Sequence, residues 1–111
     1  MSITIIDYGS GNLRSAAKAL ELAANNINTN SKIVVTSDPK IIKQSDKIVL
    51  PGQGSFRDCY LGIKKIPGLN EALNEFVLEK KKPILGICVG MQLFAKIGYE
   101  SQETEGFGWI D

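Results

Sequence analysis

The chain reads as an α/β domain with an open, mostly parallel sheet and helices on both faces. Two observations predict it. Short apolar runs occur four times, at Ile3–Ile6, Lys32–Val35, Lys47–Leu50 and Ile84–Ile87, and segments with helical spacing separate them. Such alternation implies right-handed βαβ crossovers and a parallel sheet covered on both sides. Three glycine-rich turns, at Gly9-Gly11, Gly52-Gly54 and Gly86-Gly90, follow or close strands. They therefore fall on the carboxyl edge of the sheet, where folds of this kind bind ligands.

Each element has its own signal. Ile3-Thr4-Ile5-Ile6 is β-branched and runs into the turn Asp7-Tyr8-Gly9-Ser10-Gly11-Asn12. Leu13, Ala16, Ala17, Leu20 and Ala24 then recur at helical spacing. After the second strand, Ser37-Asp38-Pro39 supplies a helix start with proline suitably early, and Ile41-Ile42 forms its short apolar face. Pro51-Gly52-Gln53-Gly54-Ser55 ends the third strand. Phe56, Cys59, Tyr60 and Ile63 mark the next helix, and Leu69, Ala72, Leu73, Phe76 and Val77 the one after it. Lys80-Lys81-Lys82 closes that helix, where cations suit the dipole. Ile84–Ile87 reads as a buried strand, followed by a helix with Met91, Phe94 and Ala95 on one face. The tail from Ser101 to Asp111 is polar and glycine-bearing, and Phe107 and Trp109 suit a small apolar cluster.

With 111 residues, 43% hydrophobic and 23% charged, the chain can bury one core and no more, and no repeat or linker divides it. A net charge of +1 gives no case for nucleic acid or an anionic membrane. No apolar stretch approaches the roughly 20 residues of a membrane span, and Met1-Ser2 leads straight into a strand, which suits the cytoplasm. Two cysteines without CxxC spacing, and no histidine, argue against a zinc site and a disulfide scaffold. No metal or cofactor is expected.

Cys88 carries most of the functional information. It lies midway between Gly86 and Gly90, where an apolar strand turns into a helix. A sharp strand-to-helix turn strains the backbone and needs small neighbours, so the pattern is a nucleophile elbow with sulfur in place of oxygen. A helix N-terminus there favours thiolate and offers backbone N–H groups to an oxyanion. The competing reading is a small buried hydrophobe at a strand end.

Taken together, Asp7-Tyr8-Gly9-Ser10-Gly11-Asn12, Pro51-Gly52-Gln53-Gly54-Ser55-Phe56 and Gly86-Ile87-Cys88-Val89-Gly90-Met91-Gln92 resemble the class I glutamine amidotransferases, of flavodoxin-like fold. With Gly106-Phe107-Gly108-Trp109 they point to the branch serving imidazole glycerol phosphate synthesis in histidine biosynthesis. The resemblance spans essentially the whole chain. It implies hydrolysis of glutamine to glutamate and ammonia, and a heterodimer with a (β/α)₈ barrel cyclase that receives the ammonia. Cys88 is then the nucleophile, with Gly52, Gln53 and Val89 supplying oxyanion N–H groups. Gly54, Gln92 and Glu100 match substrate contacts, and Asn12 a partner-interface residue. Read singly, Gln92 and Glu100 are helix-surface residues, Asn12 is an N-cap, and Gly52 and Gly54 mark a tight turn.

The chain departs from the family pattern in two ways. Members complete their triad with a late histidine and glutamate and run to about 200 residues, the size of a whole domain. This chain has no histidine and stops at Asp111. Residues 1–111 are therefore expected to be the amino-terminal portion of a single amidotransferase domain, its carboxyl-terminal part missing and its sheet edge uncovered. Gln53 is the second departure, since a small apolar residue is usual between these glycines. Two alternatives stay open: another class I amidotransferase, serving anthranilate, guanylate or pyridoxal phosphate synthesis, and a non-catalytic flavodoxin-like module whose glycine turns hold phosphate. None of the turns has P-loop or GxGxxG spacing.

Overall fold

The computed structural model describes residues 1–9, 13–26, 32–99 and 104–110. Its main sheet has four parallel strands, β1 (Ser2–Ile6), β2 (Lys32–Thr36), β3 (Lys47–Gly52) and β4 (Ile84–Cys88), in the order β2-β1-β3-β4. These are the four runs expected from sequence. The helices are α1 (Leu13–Asn26), α2 (Pro39–Gln44), α3 (Phe56–Lys65), α4 (Leu69–Asn74) and α5 (Val89–Gln92). α4 widens into a π-helical turn over Glu75–Glu79.

The strand order reverses at β1. A right-handed crossover made in one direction lays its helix on one face of the sheet, and in the other direction on the opposite face. α1 packs against β1 and β2, whereas α2, α3, α4 and α5 pack on one another. Ile6, Ile48 and Leu50 from the strands meet Ile42, Ile63, Leu73 and Phe76 from those helices in the core. Among the described residues, Thr4 and Ser45 form a buried polar pair. Ser45 Oγ donates to the Ile41 carbonyl at 2.9 Å, so its single hydrogen is committed and Thr4 Oγ1 donates to it.

Capping follows the sequence at α2, where Asp38 accepts from the Lys40 N–H at 3.0 Å and Pro39 opens the helix. The lysine run closes its helix as expected and also reaches beyond it. Lys81 takes a left-handed φ of 53° that turns the chain out of the helix. Its neighbours then reach a different helix: Lys80 Nζ donates to the Lys43 carbonyl at 2.6 Å and Lys82 Nζ to the Ser45 carbonyl at 2.9 Å. The run thus serves the unpaired carbonyls at the end of α2.

β4 is also not the buried strand that its apolar sequence predicts. It is an edge strand, with Leu85 55% and Ile87 38% exposed. The two share one face by the two-residue repeat, and α1 on that side lies over β1 and β2.

The polar tail hides an element that composition did not reveal. Ile97–Gly98 (β5) and Thr104–Glu105 (β6) pair antiparallel, and the next residues lace onto the end of α5. Phe107 N–H donates to the Leu93 carbonyl at 2.9 Å, Gly108 N–H to Ala95 at 3.1 Å and Ile110 N–H to Phe94 at 2.9 Å. The expected aromatic cluster is present. Phe107 and Trp109 stack at 4.3 Å, Tyr60 meets Phe107 edge-on at 5.6 Å, and Trp109 Nε1 donates to Asn74 Oδ1 at 2.9 Å.

At the other end of the sheet, Asp46 ties the start of β1 to the start of β3. Its carboxylate accepts from the Ser2 N–H at 2.7 Å and from Ser2 Oγ at 3.3 Å. The Ser2 N–H, then the Ser2 hydroxyl, the amino-terminal charge and Lys82 hold its carboxyl below the ordinary range. A lowered folded value means stability that is fully present above the unfolded value of about 4 and lost as pH falls through the folded one. Asp46→Asn is therefore expected to lower the urea midpoint at pH 7, with the gap to the parent closing on acidification. A gap that widens in acid would contradict this.

Candidate active site

The backbone itself marks Cys88. Its φ of 54° and ψ of −123° lie where a residue with a Cβ is strained, at a cost of about 1–3 kcal/mol. Neighbouring structure holds it there. Cys88 pairs with Gly52 in the β3–β4 register, and α5 starts immediately after it.

The flanking glycines allow α5 to come close enough. A Cβ on Gly86 would lie 2.5 Å from Met91 Cα, and one on Gly90 would overlap the Leu50 carbonyl oxygen. Gly52 is equally tight, its absent Cβ falling on the Gly90 nitrogen and 3.0 Å from Tyr8 Oη. Three glycines thus let β3, β4 and α5 meet backbone to backbone.

Cys88 is exposed whereas Cys59 is buried, so the buried-thiol reading fits the wrong cysteine. A cleft of about 510 Å³ opens beside Cys88, lined by Ser15, Ala16, Pro51, Gly52, Gln53, Gly54, Ile87 and Val89. It sits at the carboxyl ends of the strands, where the sheet order reverses and α/β folds place their ligands. Gly54 adopts φ 101° with nothing within 4 Å of a Cβ there, so its backbone faces open space.

The structure brings together Cys88, Gly52, Gln53, Gly54 and Val89, five of the eight residues singled out from sequence. Gln92 is exposed and does not line the cleft, although helical spacing sets it one turn after Cys88. Asn12 and Glu100 lie outside the described residues.

The helix after Cys88 is shorter than its apolar pattern suggests. α5 has four residues, and the chain then tightens, with Phe94 N–H bonded to Met91 and Ala95 N–H to Gln92, both at 3.1 Å. Met91, expected on the inner face, is 56% exposed. So short a helix carries little macrodipole, and what it offers an anion is chiefly the unpaired N–H groups of its first turn.

Sequence reading missed Ser15 and Ala16 as cleft walls and Tyr8 and Cys59 beneath the Gly52–Gly54 loop. Tyr8 had a signal: a buried phenol needs a partner, and its hydroxyl donates to the Pro51 carbonyl. Among the described residues no group of acidic, cysteine or histidine side chains could hold a metal ion, and no helix is long and apolar enough to cross a membrane.

A parallel sheet of order β2-β1-β3-β4 with a strained cysteine at the strand-to-helix turn defines an open α/β domain with its cleft at the carboxyl ends of the strands. Residues 4–103 match the model of the family described as Glutamine amidotransferase class-I, and the chain belongs to that family. It is 52% identical over 110 residues to the imidazole glycerol phosphate synthase subunit HisH of Brucella suis, an alignment covering 99% of this chain and 51% of that protein. Subunits of the same name from Pelagibacter ubique and Bradyrhizobium diazoefficiens are 53% and 54% identical, with 99% of this chain and 51% of theirs covered. The chain spans about half the length of the curated relatives it matches.

Proposed function

We propose that this chain belongs to a glutaminase subunit that releases ammonia from glutamine for imidazole glycerol phosphate synthesis in histidine biosynthesis. The observation that carries the reading is the strained, exposed Cys88 paired with Gly52 at the mouth of the cleft. The relatives' name supports the pathway.

In this mechanism the Cys88 thiolate attacks the side-chain amide carbon of glutamine, forming an S–C bond and placing negative charge on the amide oxygen. Backbone N–H groups of Val89 and of the Gly52-Gln53 turn receive that charge. The proton taken from the thiol is returned by the base to the amide nitrogen, so collapse breaks the C–N bond, expels ammonia and leaves a glutamyl thioester, which water hydrolyses to glutamate and free thiol. Gly54 lets the substrate approach the backbone, while Gln92, exposed one turn beyond Cys88 outside the cleft walls, and Glu100 reach over it to hold its α-amino and carboxylate groups. The ammonia passes to a (β/α)₈ barrel cyclase bound at a surface that includes Asn12, in a cytoplasmic heterodimer. The chain has no histidine. We take residues 1–111 as the amino-terminal portion of the domain, with base and orienting glutamate supplied outside it.

The test is covalent labelling with a glutamine-mimicking electrophile such as diazo-oxo-norleucine. Mass spectrometry of peptides is expected to show modification of Cys88, protection by glutamine and no modification of Cys59. Equal modification of both thiols, or no protection by glutamine, would refute the glutamine site.

A further inference from the structure

Two side chains that the mechanism does not use meet the glycine loop from below. Tyr8, 6% exposed, donates its hydroxyl to the Pro51 carbonyl. Cys59, 1% exposed, places Sγ 3.5 Å from the Gln53 carbonyl oxygen. They come from separate parts of the fold, one just past β1 and the other in the first turn of α3, and they grip carbonyls two residues apart.

We propose that Tyr8 and Cys59 are positioning residues that clamp the Pro51 and Gln53 carbonyls and so set the loop against which the Cys88 substrate is held. The inference rests on the glutamine-site reading above.

The peptide unit is rigid and planar, so fixing a carbonyl fixes the N–H on its other side. With the Pro51 and Gln53 carbonyls turned toward Tyr8 and Cys59, the Gly52 and Gly54 N–H groups point away from those two side chains. Glycine is the residue least able to hold such planes by itself, because it populates both signs of φ. Gly54 has φ 101°, so the plane before it needs an outside anchor.

Cys59 is itself well anchored. Ser55 accepts from the Asp58 N–H at 3.1 Å, and the Cys59 N–H donates to the Ser55 carbonyl at 3.1 Å. Loop and helix therefore form one closed circuit, Gln53 to Ser55 to Cys59 and back through sulfur. A thiol suits the place because it packs as a small hydrophobe and still offers a weak S–H donor.

The test uses the 111-residue chain with Tyr8→Phe, Cys59→Ala and Cys59→Ser. Two alkylation rates are followed at Cys88: diazo-oxo-norleucine, which must occupy the glutamine site, and iodoacetamide, which need not. Amide hydrogen exchange over residues 51–55 is followed in parallel. Tyr8→Phe and Cys59→Ala are expected to slow the glutamine-like label about fivefold, the size of one net hydrogen bond, with the iodoacetamide rate unchanged. Exchange across 51–55 should quicken by a similar factor, and Cys59→Ser, which keeps a donor, should return both readouts toward the parent.

Unchanged exchange in both variants would overturn the clamp. So would equal slowing of the two alkylations, which reports general loss of structure. If the parent chain itself shows no glutamine-protected label, the glutamine site fails, and with it the positioning role, even where exchange confirms the two contacts.

Discussion

Glutamine turnover by the 111-residue chain alone is expected to lie on the order of 10⁻³ s⁻¹ or below, about four powers of ten under a typical enzyme. The elbow presents a thiol to the cleft, but a Cys–His pair has two duties that the elbow cannot meet. It takes the proton from sulfur before attack, and it returns a proton to the leaving nitrogen. With no histidine in the chain, the tetrahedral adduct expels sulfur more readily than an unprotonated amide nitrogen, so it reverts. A coupled assay for glutamate, with Cys88→Ser as the blank, measures the residual rate. A signal at ordinary enzymatic speed would show that some other group activates Cys88, and acceleration by free imidazole would point to the missing proton carrier.

The second large effect is structural. Gly90→Ala is expected to cost about 3 kcal/mol or more, a large share of the roughly 5–15 kcal/mol that holds an ordinary domain together. The added methyl would overlap the Leu50 carbonyl oxygen and lie 2.8 Å from the Leu50 carbonyl carbon and 3.0 Å from that of Pro51. These are strand backbone atoms and cannot rotate aside, so α5 must lift from β3 and take Cys88 with it. Gly54→Ala is the informative contrast. It meets no atom within 4 Å and suffers only from φ 101°, a penalty of about 1–2 kcal/mol. Urea unfolding of both variants measures the difference. A Gly90→Ala midpoint equal to that of the parent would show that α5 does not seat on β3 as described.

The parallel sheet was legible because each strand is a dense apolar run closed by glycine or a charged turn, and because Asp38-Pro39 announces its helix chemically. The Cys88 turn was legible because glycines flank it on both sides, and a Cβ at Gly86 or Gly90 would indeed strike neighbouring backbone. What escaped was set by partners distant in sequence. Lys80 and Lys82 read as the end of their own helix, yet their carbonyl acceptors are on Lys43 and Ser45, and no local pattern encodes that pairing. Leu85 and Ile87 are as apolar as any core residue. Their exposure follows from where α1 lies, which strand periodicity does not report. The two-residue strands β5 and β6 are too short for alternation to register.

Trp109, the chain's sole indole, sits flat on Phe107 and 5.3 Å from the Phe94 ring. Phe94 follows α5 closely and lies against the Cβ-free face of Gly86. The protein thereby carries its own fluorophore packed against the seat of Cys88, and shifts in its ultraviolet emission would track whether that seat is occupied or displaced without any label being attached.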